Sequence, residues 1–428
     1  MSTEKLRSRN PWLWVPSLYV AEGIPYVMAV TVSVVLYKRL GISNKEIAFY
    51  TSWLYLPWVI KPLWSPFVDL FRTKRYWILL MQLLIGASLA CVAFTLPTGR
   101  FFQYTLAFFW LMAFSSATHD IAADGFYMLG LTDDLQAAFS GVRTSFYRIA
   151  TIGTKGGLVI LAGYLEGSGN GIARAWSIAL FLSAAVLGAL FLYHFFALPR
   201  PAGDCPARRN PSASLVSNVL HPFGVFFRKR GIATILGFFL FYRLAETQLI
   251  KIIVPFLLDP RSIGGLGLTT FDVGIVYGTV GVVALMLGGL LGGYAIYRKG
   301  LKFWIWIMVC SMHLPNLVFV YLSQALPRDP FWISLCVGAE QFGYGFGFTA
   351  YTMFMLMVSE GEYQTVHYAI STGIMALGMM VPAMVSGWIQ EQLGYQNYFL
   401  WVMATTLPGF IVTGLVKIDP EFGKKKME

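Results

Sequence analysis

The sequence predicts an all-α membrane protein: twelve transmembrane helices in two pseudo-symmetric bundles of six. Three observations predict it. Of 428 residues, 57% are apolar and only 12% are charged, which is too greasy for a soluble chain of this size. Apolar runs of about 18 residues or more recur along nearly the whole length, each long enough to cross the hydrocarbon of a bilayer. The longest non-apolar stretch, residues 199–230, is rich in Pro, Ser and Arg and falls after the sixth run. It divides the chain into a bundle at 1–199, a cytoplasmic linker at 200–230 and a second bundle at 231–428.

The spans are expected at roughly 12–37, 47–71, 76–97, 102–130, 139–165, 172–198, 231–258, 270–297, 302–323, 331–358, 364–391 and 396–417. The first exceeds a signal-peptide core and is followed by no small-residue cleavage site, so it is read as a retained span. An even number puts both termini on one side. Loops on that side hold 19 Lys and Arg, and the opposite loops hold seven. The excess places both termini in the cytoplasm, with the chain in the cytoplasmic (inner) membrane. The net charge of +11 is therefore read as topology rather than as a nucleic-acid surface. Cys91, Cys205, Cys310 and Cys336 show no metal or disulfide spacing.

Ionisable residues inside lipid-spanning helices are costly and mark cavities or partners. In span 1, Glu22 lies about 15 Å deep, near the midplane. Gly23-Ile-Pro25 follows it, a helix-weakening pair. It is a proton-coupling candidate, the bland alternative being a pair with Lys61 of span 2. Spans 4 and 5 form a hairpin about a polar turn at Thr132-Asp133-Asp134. Counting helical rise from that turn matches Asp120 with Arg148, and Asp124 with Arg143 one turn lower. Asp120 and Asp124 share a face, as do Arg148 and Lys155, while Lys155 has no matched acid in the hairpin. Buried salt bridges account for Asp124 and Arg143; Arg148 and Lys155 are assigned to a site lining, and Asp120 to the proton.

In span 7, Arg243 and Glu246 are three apart and expected to pair, leaving Gln248 free for a ligand. Span 9 carries His313, Pro315 and Asn316. Span 10 carries Glu340-Gln341, then Gly343-Tyr-Gly-Phe-Gly347, whose glycines permit close packing. Glu340, at mid-depth, ranks with Glu22 as a proton carrier. Asn316, Gln341 and Tyr344 join Gln248 as candidate ligand contacts. His367 reads as an interfacial histidine. Tyr147, Tyr242, Tyr344 and Phe348 lie at mid-depth, where aromatic faces stack on sugar rings.

The loops after spans 2 and 8 are both short and basic, at matching places in each half. Six plus six spans with such loops resemble the major facilitator superfamily. That resemblance implies a substrate site between halves near the midplane and alternating access by rocking. Asp69, Arg72, Lys74 and Arg75 keep the acid and bases of the family's loop motif, with Asp69 in a gate or capping role. Four strings sharpen it: Ala21-Glu-Gly-Ile-Pro-Tyr26, Lys61-Pro-Leu-Trp-Ser-Pro-Phe-Val-Asp69, Ala117-Thr-His-Asp-Ile-Ala-Ala-Asp124 and Phe146-Tyr-Arg-Ile-Ala150. They are similar to the AmpG permease branch, which also includes acetyl-CoA transporters. Carried over by position, the resemblance marks Lys61, Asp69, Asp120, Asp124, Tyr147 and Arg148. His119 stands where the branch has Gln, and Glu22 where it has a small residue.

The expected function is therefore a proton-coupled secondary transporter, not an enzyme. The resemblance implies import of cell-wall fragments, anhydro-sugar disaccharides with or without peptide. The departures make a related anionic or amino-sugar oligosaccharide equally admissible. An acetyl-CoA or other organic-anion transporter, and a transport-dead sensor, are the alternatives. No Walker loop, metal-spaced His/Cys/Asp set or nucleophile motif is found, so no cofactor, metal site or catalytic residue is expected.

Overall fold

The computed structural model describes residues 10–131, 133–205, 221, 223–361 and 364–424. Twelve long helices run through them. We label them α1 (Pro11–Arg39), α2 (44–70), α3 (Lys74–Thr95), α4 (Phe101–Gly130), α5 (133–167), α6 (Ile172–Ala197), α7 (Ile232–Leu258), α8 (Thr270–Lys299), α9 (Leu301–Ala325), α10 (Pro330–Ser359), α11 (364–393) and α12 (395–415). Gly394, at φ 69°, makes the break between the last two. No strand occurs among the described residues. The helix ends agree with the expected spans to within a few residues, except that α5 starts earlier. Length and composition alone qualify seven stretches as membrane spans, one of them the 50-residue Val366–Leu415. The helices outside those stretches are α2, α4, α5 and α10. They are the ones that hold Lys61, Asp120, Asp124, Arg143, Arg148, Lys155 and Glu340.

The chain forms two compact units. The first is Met1–Ser33 with Ile60–Arg209, and the second is Val34–Val59 with Asn210–Glu428. The expected linker at 200–230 lies largely outside the described residues, as does the side chain of Asp69 at the end of α2.

In the first unit, α3 packs on α4 and α6, and α1 packs on α5. Gly23 permits that last approach, since a Cβ there would sit 2.9 Å from Ala150 Cβ. Helix α1 does not break at Gly23-Ile-Pro25. It stays α-helical to Val27 and then widens into a π turn at Met28–Val32. Pro25 removes one backbone donor, and the wider turn absorbs the mismatch. A polar string ties the unit together: the Gln82 amide bridges His119 Nε2 and His194 Nδ1, each at 3.0 Å, and His194 Nε2 meets Ser17 Oγ at 2.9 Å. His119 thus turns toward α3. At the start of α3, Asp204 accepts from the backbone N–H of Lys74 (2.6 Å) and Arg75 (3.1 Å).

In the second unit, α10 is sandwiched between α8 and α9. A Cβ on Gly345 would collide with the carbonyl oxygen of Leu285, so the α8–α10 seam closes only over glycine. The glycines of span 10 are packing residues, as expected. An aromatic core of Phe238, Tyr242, Tyr351 and Phe354 fills part of its interior. Residues 34–59 pack on α11, with Gly387 directly against the backbone of Asn44.

Candidate functional site

The first unit gathers five of the expected charges at one level. Lys61 from α2 donates to Asp120 Oδ2 on α4 in a close ion pair. Arg143 from α5 bridges Asp124 Oδ1 at 2.8 Å. Tyr19 from α1 donates to the same oxygen at 3.3 Å, and the Arg143 guanidinium lies 4.6 Å from the Tyr19 ring centre. Glu22 from α1 completes the group, 8% exposed, with Oε2 making no hydrogen bond among the described residues.

One oxygen each from Glu22, Asp120 and Asp124 lie within 4.8 Å of one another. That spacing would admit one small cation. Three carboxyls against one lysine and one arginine leave a single uncompensated negative charge. One proton, or one monovalent cation, would close the account of charge there.

The matched-depth reasoning holds for Asp124 with Arg143 and fails for Asp120 with Arg148. Lys61 reaches Asp120 instead, because α2 approaches α4 at that level. Lys61 is thereby not the partner of Glu22. Arg148, freed from Asp120, is half-buried and makes no hydrogen bond or ion pair among the described residues. Tyr147 is half-buried beside it, with its carbonyl against Gly23. Lys155 sits half-buried in a π turn, Ile152–Leu158. The wider turn sets it off the line that an α-helical count draws from Arg148.

The second unit gathers a different set. Arg243 occupies a break in α7 between Phe241 and Leu244, at φ −108° and ψ 12°. It donates to the Tyr344 hydroxyl and lies 4.6 Å from the Phe348 ring centre. The expected Arg243–Glu246 hydrogen bond is not made: neither oxygen of Glu246 accepts one among the described residues. The break takes Arg243 off the helical register that a three-residue spacing assumes. Glu340 is fully buried and accepts from the Gln341 amide at 2.9 Å.

Gln248 is not free for a ligand. Trp401 Nε1 donates to its Oε1 at 2.9 Å, and its Nε2 reaches Leu244 O and Thr405 Oγ1 at 3.3 and 3.4 Å. Asn316 is 1% exposed in a 3-10 turn, Leu314–Asn316, which seals it inside its unit. Gln341 is likewise buried and committed to Glu340, which leaves Tyr344 as the half-buried member of the expected ligand contacts in this unit.

Sequence reasoning missed a dense network at residues 34–59. Lys38 bridges Asp259 Oδ1 at 2.6 Å and donates to Asn44 Oδ1 at 2.7 Å. Asn44 Nδ2 donates to Gln390 Oε1 (2.6 Å) and Tyr395 OH (3.0 Å), and Tyr395 donates to Asp259 Oδ2 at 2.5 Å. Lys251, 4% exposed, donates to Thr51 Oγ1 at 2.8 Å. Apart from Lys38 with Asn44, these partners are more than 130 residues apart, and no local spacing announces them.

A family model described as the BT1 family matches residues 22–415. The chain belongs to the BT1 family. Curated relatives agree with the AmpG-type resemblance. The chain is 25% identical over 400 residues to a protein of Escherichia coli K12 named anhydromuropeptide permease, covering 92% of this chain and 77% of that one. It is 24% identical over 408 residues to a Rickettsia conorii protein named AmpG 4, covering 92% and 94%. Among solved structures, a mutant of the nucleoside transporter NupG superposes with a TM-score of 0.73 at 17% identity, over 95% of this chain and all of that one. A D-xylose-proton symporter gives 0.70 at 9% identity, over 97% and 99%. The fold of this BT1-family chain is that of major facilitator transporters. It is a multi-pass membrane transporter for a small molecule, not an enzyme.

Proposed function

We propose that this protein is a proton-coupled importer of an anionic, sugar-containing solute, an anhydromuropeptide or a related acidic or amino-sugar oligosaccharide. It would act in the cytoplasmic membrane with both termini in the cytoplasm, each half a bundle of six about the 200–230 linker. The observation that supports the solute's charge is Arg148. A half-buried guanidinium in a membrane helix, without a protein counter-ion among the described residues, is suited to a carboxylate or similar anion. Lys155 adds positive charge on the same helix, and Tyr147 offers a ring for the sugar. The name of the Escherichia coli relative supports the solute class.

The coupling follows from the charge of the acid group. With Glu22 ionised, the cluster of Glu22, Asp120, Asp124, Lys61 and Arg143 carries one net negative charge near the arginine that must take an anion. A proton on Glu22 makes the cluster neutral and removes that repulsion. Proton and anion then favour each other's binding, which is what symport requires.

Replacing Arg148 by Ala is expected to reduce uptake of labelled anhydro-sugar fragments into membrane vesicles at least about tenfold, a loss of roughly 1.4 kcal/mol or more of binding. The variant's abundance in the membrane should be unchanged. Full uptake by that variant would remove Arg148 from the solute site. Wild-type accumulation that ignores an imposed pH gradient, but follows a sodium gradient, would replace the proton by sodium.

A further inference from the structure

Two basic runs, far apart in the sequence, meet at one end of the second unit. The first is the α8–α9 turn, where Arg298, Lys299 and Lys302 are exposed. The second follows α12, where Lys417 and Lys424 are exposed. Residues 416–424 fold back along the turn as a strap. Leu301 N donates to Phe422 O at 3.0 Å, and Val416, Ile418 and Phe422 pack against the unit's aromatic core. A Cβ on Gly423 would sit 2.7 Å from Ile296 Cγ2, and one on Gly300 would sit 3.6 Å from Lys424 Cβ. Lys424 therefore stands beside Gly300, the residue that follows Lys299 and lies two before Lys302.

The strap itself carries two acids. Glu421 is taken by Lys424 at 3.2 Å, an exposed pair of little worth. Asp419 Oδ1 accepts from Glu421 N at 3.0 Å. Arg298, Lys299, Lys302 and Lys417 form no ion pair among the described residues. The strap thus brings positive charge onto a turn that already carries it, and the two repel. Next to the charges the surface is apolar: Tyr294, Tyr297, Phe303 and Trp306 are half-exposed. Lys299 Nζ lies 4.4 Å from the Phe303 ring centre, and the Arg298 guanidinium lies 6.0 Å from that of Tyr294. Aromatic rings edged by cations mark the level where hydrocarbon gives way to headgroups. An acidic soluble protein would match the charges but not this apolar border. A phospholipid matches both.

We propose that the α8–α9 turn and the strap together form a binding site for an anionic phospholipid. Its phosphate lies among Lys299, Lys302 and Lys424, with Arg298 and Lys417 adding to the field, and its acyl chains run past Phe303 and Trp306. The headgroup relieves the repulsion between the two basic runs and so holds the strap to the turn. The inference goes beyond the transport reading, because the lipid is held whatever solute is carried and whatever drives its uptake.

Native mass spectrometry of the purified full chain in detergent, titrated with phosphatidylglycerol or with phosphatidylcholine, tests it. Tighter binding of phosphatidylglycerol is expected. Lys299→Gln with Lys302→Gln, on the turn, should weaken it at least about tenfold, and so should Lys417→Gln with Lys424→Gln, on the strap, since each charge near a membrane surface is worth roughly fivefold. Binding of phosphatidylcholine should not change in either. Arg100→Gln, Arg200→Gln and Arg328→Gln together remove exposed charge elsewhere and should leave the tightest phosphatidylglycerol site intact. Excess inorganic phosphate should not displace the lipid. Equal affinity of the wild type for the two lipids overturns the proposal. A preference that survives both double variants also overturns it and leaves the basic corner to an acidic protein. Loss in one double variant alone overturns the joint site, and an equal loss in the arginine variant reduces the effect to net charge. Displacement by inorganic phosphate gives the site to a soluble anion instead. Failure of the transport reading would show separately, as uptake indifferent to a pH gradient.

Discussion

Glu22 differs from its neighbours in the first unit because it is the acid without a basic partner. Lys61 neutralises Asp120 and Arg143 neutralises Asp124, while Glu22 Oε2 is buried and receives no hydrogen bond among the described residues. Glu22→Gln keeps the size and the hydrogen-bonding capacity of the side chain but cannot gain or lose a proton. The variant is expected to exchange labelled solute across vesicles at a rate within about twofold of wild type, while accumulation against a gradient falls at least about tenfold. Wild-type accumulation by this variant would move the coupling elsewhere. Depth along a helix was enough to pair Asp124 with Arg143, since one hairpin holds both. It was not enough for Asp120, whose partner comes from α2 and not from the adjacent α5. Gln248 and Arg243 show the same limit. Their residue types and depth were legible, but Trp401 and Tyr344, which occupy them, lie 153 and 101 residues away.

At the scale of elements, several helices depart from uniform α-helix. Helices α1, α5 and α8 each contain a π turn, at Met28–Val32, Ile152–Leu158 and Gly274–Val280. Such turns re-aim side chains relative to an α-helical count, and Lys155 stands in one. Apolar periodicity does not reveal them, because one wide turn barely perturbs the pattern of the whole helix. Glycine use on α10 was legible as close packing. Gly345→Ala would set a Cβ against the carbonyl oxygen of Leu285, and backbone cannot swing aside as a side chain does. The expected cost is about 1–3 kcal/mol, read as a lower unfolding temperature in detergent. Gly293→Ala, on α8 with nothing within 4 Å, should be neutral or stabilising by about 0.5–1 kcal/mol. Equal effects of the two substitutions would argue that the seam is loose.

For the whole molecule, the telling stretch is Val34–Val59. It packs with the second unit, although the chain on both sides of it belongs to the first. Lys38, Asn44, Asp259, Gln390 and Tyr395 hold it there, and Asp259 is the acid on which three of them converge. Removing one partner of a buried charged network costs about 3 kcal/mol or more. Asp259→Ala is therefore expected to loosen the stretch. In a cysteine-free background, a cysteine at Ala48, which is 1% exposed, should then react with a water-soluble maleimide at least about tenfold faster. An unchanged rate would mean that apolar packing against Gly387 and α11 holds the stretch without the network.

The sequence by itself determined the number, length and order of the helices, and the depth of each ionisable group within them. A bilayer fixes the length of a span and penalises every stray charge, so these properties are written locally. Only the tertiary structure decided which charges meet. Partner choice depends on which helices lie side by side and on how far each is rotated about its axis. Those are set by side-chain packing, glycine seams and π turns, between residues far apart along the chain. Thus Lys61 takes Asp120 and Arg143 takes Asp124, while Arg148 is left without a protein counter-ion among the described residues.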